Sequence, residues 1–181
     1  MIITHRRFVP IFLILAILAL PGRSFAAEFA SQITRIVVPF TAGGGTDIIS
    51  RTLAQEMEKQ LGGTVIIENK PGAGTIVGTE YVAKAVPDGH TLVMATFAHA
   101  VNPSLRSKLP FDADKDFAPV ALVARSFNIV VVNPASGINS IPDLIAAPKA
   151  KPNGLNYGTF GPGTSGHLAG ELFKSLIQVT M

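Results

Sequence analysis

From Arg35 onward the chain alternates short apolar runs with glycine-rich breaks and longer stretches of helical period. Arg35-Ile-Val-Val-Pro-Phe40 is apolar and rich in β-branched residues, which predicts a buried strand. Thr41-Ala42-Gly43-Gly44-Gly45-Thr46 then reads as a loop. From Asp47 the period changes. Ile49, Leu53, Met57 and Leu61 recur every four residues, Arg51, Gln55, Glu58 and Lys59 cover the other side, and Gly62-Gly63 stops the helix. Thr64–Glu68 predicts a second strand, Asn69–Gly74 a turn-rich loop, Thr75–Ala85 a second helix and His90–Thr96 a third strand.

A strand–helix–strand–helix–strand rhythm with short loops predicts an α/β unit with a largely parallel sheet. Both faces of such a sheet are covered, which explains runs that are continuously apolar rather than alternating. Beyond it the pattern loosens. Asn102–Asp116 predicts a short helix and a long loop, and Val120–Ala124 and Asn128–Val132 are strand candidates. Ile141–Ala147 predicts a short helix and Pro148–Gly154 a linker. Leu155–Thr159 predicts a strand, Phe160–Thr164 a second glycine-rich loop, and Ser165–Leu176 a helix with Leu168, Leu172 and Leu176 on one stripe. The order strand, glycine loop, helix thus occurs twice, near Gly43 and near Gly161.

The N-terminus changes how the charge is read. Met1–Arg7 is basic, Phe8–Leu20 is apolar, and Ser24-Phe25-Ala26 places small residues where a signal peptidase needs them. This predicts a secretory signal peptide over residues 1–26, cleaved after Ala26, and hence a periplasmic protein. The apolar run is shorter than the roughly 20 residues a membrane span needs. The whole chain of 181 residues carries 15 basic and 12 acidic residues, for a net charge of +3. Arg6, Arg7 and Arg23 lie in the leader, so the mature 155 residues hold 12 of each and are formally neutral. No basic stripe remains for nucleic acid. Zero Cys excludes disulfides, thiol catalysis and Cys-ligated metal.

Both glycine loops run from a predicted strand into a helix start. Glycine lets backbone N–H groups approach a ligand, and a helix N-terminus offers unpaired donors and partial positive charge. Each terminus is worth about 0.3–1 kcal/mol toward an anion beyond its hydrogen bonds. Two of them suit a carboxylate without any formal positive charge. A Walker loop needs Lys, which neither loop has, and the dinucleotide fingerprint fails because Ile48 stands where its third Gly belongs. Gly163-Thr164-Ser165-Gly166-His167 approaches a nucleophile elbow, but His167 occupies the last glycine position. A secreted serine hydrolase built on Ser165 is therefore the enzymatic alternative, with Ser165 as a helix N-cap or first-turn residue the simpler reading. His5 lies in the leader, and His90 is expected at the surface. No His or acidic spacing suits a metal. His99 is either a loop hydrogen bonder or a ligand contact. Asp47 is either a first-turn residue favoured by the helix dipole or a selector that repels or polarises ligand groups.

Pro39-Phe-Thr-Ala-Gly-Gly-Gly-Thr-Asp47 resembles the opening motif of the Bug receptors, the extracytoplasmic solute-binding proteins of tripartite tricarboxylate transporters. Glu68–Gly74, Ala83–Gly89, Asn102-Pro103, Lys108–Asp112, Asp116–Val120 and Gly163–Glu171 continue the resemblance in order, from about Ile33 to Leu176. It implies an α/β, periplasmic-binding-protein-like fold of type II: two lobes with mainly parallel sheets, closing on a ligand. It also implies that the chain is not an enzyme, needs no cofactor and acts as a monomer. The implied partners are a small organic acid (a di- or tricarboxylate or related carboxylate) and the membrane subunits of the transporter. Carried onto this sequence, the ligand-binding residues are Thr41, Ala42, Gly43, Gly44, Gly45, Thr46 and Asp47 in the first loop. Thr96, Phe97, Ala98 and His99 follow the third strand. Phe160, Gly161, Gly163, Thr164, Ser165 and His167 belong to the second loop. Residues 27–124 would form most of lobe one and 125–181 the start of lobe two. Family members run to roughly 300 mature residues, and two ordinary lobes agree with that. The chain is therefore read as C-terminally truncated, as a gene fragment, a frameshifted product or a partial sequence. An unfinished sheet is expected to expose apolar faces and to weaken stability and binding. A role as a ligand-sensing module needs the same cleft and stays open beside transport.

Overall fold

The computed structural model describes residues 31–150 and 154–180. The predicted signal peptide lies outside them. Strand β1 (Thr34–Val38) is followed by helix α1 (Gly45–Leu61), strand β2 (Val65–Asn69), a 3-10 turn (Ala73–Thr75), helix α2 (Ile76–Ala83) and strand β3 (Thr91–Val93). Helix α3 (Phe97–Leu105), a 3-10 turn (Pro134–Ser136), helix α4 (Ile141–Ala150) and helix α5 (Ser165–Ile177) complete the order.

The sheet has the order β2-β1-β3, and β1 pairs in parallel with both neighbours. Arg35 stands opposite Ile66 on one side and Thr91 on the other. The two crossovers run in opposite directions across the sheet. Right-handed connections therefore place α1 and α2 on opposite faces. This is why β1 shows no alternation: Ile36, Val37 and Val38 are all at most 2% exposed. On the α1 face Ile36 packs with Ala54 and Val65, and Leu53, Met57, Ile67, Leu92 and Met94 border them. Helix α1 ends where Gly62 turns left-handed (φ 69°) and its N–H reaches the Glu58 carbonyl.

The second part of the chain departs from the sequence pattern. Val120–Ala124, Asn128–Val132 and Leu155–Thr159 are not strands. Their β-branched residues favour extended backbone, but a strand exists only when a neighbour completes its hydrogen-bond ladder. Among the described residues no segment lies alongside to do so. Val120, Phe127, Ile129 and Val131 are consequently at least 80% exposed. Helix α5 does not bury its leucine stripe: Leu172 and Leu176 are exposed. Helix α4 runs through the predicted linker start, carrying buried Pro148 to Ala150. His90 is buried, not at the surface, with Nδ1 3.4 Å from Thr34 Oγ1.

Two outcomes follow. Ile36→Ala is expected to lower the urea-unfolding free energy by about 2–5 kcal/mol, the usual cost of emptying a buried aliphatic site. The 120–132 segment is expected to bind the dye ANS, with Val131→Lys and Ile129→Lys together reducing the fluorescence. Unchanged fluorescence in that double variant would show that the segment is not the apolar surface.

Candidate functional site

Because the three strands are parallel, the segments that follow them emerge at one edge of the sheet. Loop 41–44 follows β1, the 70–75 turn follows β2, and the start of α3 lies beyond β3. In open α/β sheets this is the edge where ligands bind.

The first loop is braced from beneath by Asp47. Its carboxylate is nearly buried and holds three donors. Gly43 N–H donates to Oδ2 at 2.8 Å, Arg51 Nε donates to Oδ2 at 3.0 Å, and Asn69 Nδ2 donates to Oδ1 at 2.9 Å. Asn69 Nδ2 also donates to the Phe40 carbonyl at 3.1 Å, and Arg51 Nη2 donates to Asn69 Oδ1 at 3.0 Å. The triangle Asp47–Arg51–Asn69 thus ties the end of β2 to the loop after β1. The hydrogen bond from Arg51, then those from Gly43 N–H and Asn69, with a smaller contribution from the Arg51 charge, hold the Asp47 carboxyl far below the usual carboxylate range. All of this favours the structural reading of Asp47 over the selector.

Asp47 consumes the Gly43 N–H and leaves the helix end open. Gly44 is the N-cap of α1, and no side chain caps it. Only Gly43 in this loop has a positive φ (84°). A Cβ on Gly44 would meet nothing nearer than the Thr41 carbonyl oxygen at 3.7 Å, and one on Gly45 would meet nothing within 4 Å. Neither glycine is required by backbone conformation or by packing. What remains is an exposed helix N-terminus stripped of side chains, open to a ligand.

Thr96, Phe97, Ala98 and His99 form the N-cap and first turn of α3 rather than a loop. Thr96 makes no capping hydrogen bond. The His99 ring packs among the residues that follow α3: it stacks on Phe111 (centroids 6.3 Å), meets Phe117 edge-on (4.9 Å), and its Nε2 lies 3.1 Å from the Ala113 carbonyl oxygen. Its Nδ1 is buried without a partner.

The second loop is more self-contained. Thr164 caps α5 by accepting from His167 N–H at 3.4 Å, and its hydroxyl donates to the Gly161 carbonyl at 2.7 Å. Gly163 N–H donates to His167 Nδ1 at 3.3 Å. Ser165 Oγ donates to Asn128 Oδ1 at 3.0 Å. Ser165 and His167 therefore face different partners, and the Ser–His pair that hydrolysis requires is not formed. Among the described residues no hydrogen bond joins the two glycine loops. The second loop instead rests on the Gly72–Thr75 turn and on α3, through Pro162 and Gly163. Two open cavities lie elsewhere. One, about 650 Å³, is lined by Lys149, Glu171 and Lys174 among others, and one of about 320 Å³ lies between Ile48, Ile49 and Val123.

The turn after β2 lies where the sequence predicts a turn-rich loop, but the sequence assigns no role to that turn or to Asn102. Thr75 is buried and left-handed (φ 82°), unusual for a β-branched residue, and Ala73 is left-handed as well (φ 47°). The signal available was the pair of motifs Glu68–Gly74 and Asn102-Pro103, which belonged to the resemblance without a role attached.

Asp47→Asn is expected to lower the melting temperature at pH 7. The folded pKa of Asp47 is depressed. Its contribution is therefore fully present above the unfolded value of about 4 and is lost as pH falls below it. The gap between wild type and Asp47→Asn should narrow in melts taken from pH 5 toward pH 2. A constant gap would mean that the carboxylate charge contributes nothing.

Residues 49–181 match the tripartite tricarboxylate transporter family receptor. A UPF0065 protein of Bordetella pertussis is 40% identical over 162 residues, covering 89% of this chain and 50% of that protein. A solved R. palustris protein with adipate is 35% identical, with a TM-score of 0.78 over 82% of this chain and 50% of that one. The protein MatC from Rhodopseudomonas palustris with bound malate is 33% identical, with a TM-score of 0.64 over 81% and 50%. The chain spans about half the length of the curated relatives it matches. Its parallel α/β architecture is that of periplasmic binding proteins, another of which, described as a periplasmic transporter, superposes with a TM-score of 0.77. With the family match running over most of its length, this chain belongs to the tripartite tricarboxylate transporter receptor family.

Proposed function

We propose that the chain is an extracytoplasmic solute-binding receptor that takes a small di- or tricarboxylate and delivers it, in the periplasm, to the membrane subunits of a tripartite tricarboxylate-type transporter. Residues 27–124 supply most of the first lobe and 125–181 the beginning of the second. The observation that carries this reading is the uncapped N-terminus of α1. Gly44 and Gly45 have ordinary backbone and open space, so the absence of side chains there serves a ligand that approaches the N–H groups. The second loop, Phe160–His167, supplies a further helix end of the same polarity, already capped in part by Thr164. Thr41, Ala42, Thr46, Thr96 and Phe97 border the edge on which the ligand would sit, while Asp47 and His99 act from beneath it. Adipate and malate, carried by two solved relatives, are both dicarboxylates, which supports the ligand class.

Gly45→Ala separates binding from stability. Replacing glycine in the first turn of a helix raises stability by up to about 1 kcal/mol. The expected result is an unchanged or higher melting temperature together with at least tenfold weaker binding of adipate or malate by calorimetry. Gly44→Val should abolish the binding heat. If wild type binds neither acid, or if both variants bind like wild type, the assignment of the first loop fails.

A further inference from the structure

We propose that Asn102 positions the second glycine loop, and that its side-chain oxygen takes over the Gly163 N–H when that loop closes. Asn102 lies in α3 and is 1% exposed. Its Nδ2 donates to the Gly74 carbonyl at 3.1 Å and lies 3.3 Å from Thr75 Oγ1. The Gly74 carbonyl can only accept, so the orientation of the amide is settled by its partners. Oδ1 is then the free end, and it is buried with no partner. A buried acceptor left unpaired is costly, and native proteins rarely keep one without a use.

The group in front of that oxygen is Gly163. A Cβ on Gly163 would stand 3.3 Å from Asn102 Oδ1 and 3.4 Å from Leu105 Cδ1. One residue earlier, the Pro162 carbonyl oxygen lies so near Gly74 that a Cβ there would be 2.5 Å from it. Gly74 also has a left-handed backbone (φ 65°). Residues 162–163 therefore sit across Gly74 and Asn102 with no room to spare. The Gly163 N–H is held only weakly, at 3.3 Å from His167 Nδ1, and the Thr164 N–H is also 3.3 Å from its acceptor, the Gly161 carbonyl. Both distances are at the long end for N–H donors. A small shift of the loop exchanges the acceptor of Gly163 from His167 Nδ1 to Asn102 Oδ1. It satisfies the buried oxygen and releases the ring nitrogen of His167 toward the ligand edge. The same amide meanwhile keeps the strained Gly74-Thr75 turn in place.

The closing step rests on the receptor reading, so the test has one arm without ligand. In nitrogen-15 NMR of the full chain, Asn102→Leu should move the Gly163 resonance as well as those of Gly74 and Thr75, some 90 residues away in sequence. A shift confined to Gly74 and Thr75 would overturn the positioning role. If the leucine variant does not fold, Gly74→Ala makes the same test by displacing Pro162. Gly163 must then shift while the Asn102 side-chain amide signals persist, and an unmoved Gly163 overturns the contact. In the second arm adipate is added. Hydrogen exchange at Gly163 should slow at least tenfold in wild type and not in the Asn102 variant. Adipate binding that leaves Gly163 exchange unchanged sinks the handover. Failure of wild type to bind adipate counts against the receptor reading, while the first arm still decides the positioning role.

Discussion

The parallel pairing of β1 with both of its neighbours is the constraint from which the rest of the structure follows. A central strand buried on both faces must be apolar throughout, and Ile36, Val37 and Val38 supply this without alternation. Parallel neighbours require crossovers, and the two here run in opposite directions and carry one helix to each face. The same polarity sends the segments after β1, β2 and β3 to one edge. The glycine loop, the strained turn and the start of α3 are neighbours because of strand direction. Asn69, at the end of β2, reaches both Phe40 and Asp47 only because β2 lies parallel beside β1.

A second consequence concerns charge. Several acidic groups of the described residues are engaged with a nearby base. Arg35 and Lys70 hold Glu68, Arg51 holds Asp47, Lys115 holds Asp112 and Lys174 holds Glu171. Most of these pairs are partly exposed and contribute little to stability. Among the described residues these pairs neutralise acids at contact distance, and on the proposed reading that leaves the fixed dipoles of helix ends to attract a ligand. The proposed carboxylate site is therefore compatible with a sequence that is formally neutral beyond residue 26. Backbone N–H groups attract a carboxylate without the long-range field of a basic surface, which would also attract nucleic acid.

The sequence makes β1, α1, β2, α2 and β3 legible because each has a local signature that its neighbours confirm: an apolar run, a four-residue period, a glycine stop. The Gly62 cap belongs to the same class. The extended runs at 120–132 and 155–159 carry equally strong β-branched signatures yet form no ladder, since strand formation depends on a partner that local sequence does not encode. His90 reads as a surface residue at the start of a strand and is buried, and His99 reads as a loop residue and is half-buried in the first turn of α3. One lies beside Thr34 across two strands, and the other lies in a ring cluster built from residues 12 to 18 positions later. The Asn102-Pro103 pair gives Asn102 a place in the resemblance but no role, for a related reason. A lone asparagine before a proline has no signature until the turn it clamps and the loop it faces are brought around it.

On the proposed reading, Asp47 raises the remaining question of why a carboxylate should lie under an edge that takes an anion. A bare carboxylate there would repel the ligand and would be costly to bury. Neither penalty applies while Arg51 and Asn69 cover it. The charge is neutralised at contact distance, and the three donors absorb its hydrogen-bonding capacity. In return the carboxylate does what no neutral cap does here: it draws the Gly43 N–H inward and fixes the chain just before the helix. The turn at Gly43 then presents Gly44 and Gly45 outward with no side chain capping the start of α1. A Ser or Asp at the N-cap would satisfy those same N–H groups internally and close the site. Placing the acid at the third helical position, paired from behind by the residue one turn on, stabilises the helix end through its dipole while keeping its donors available.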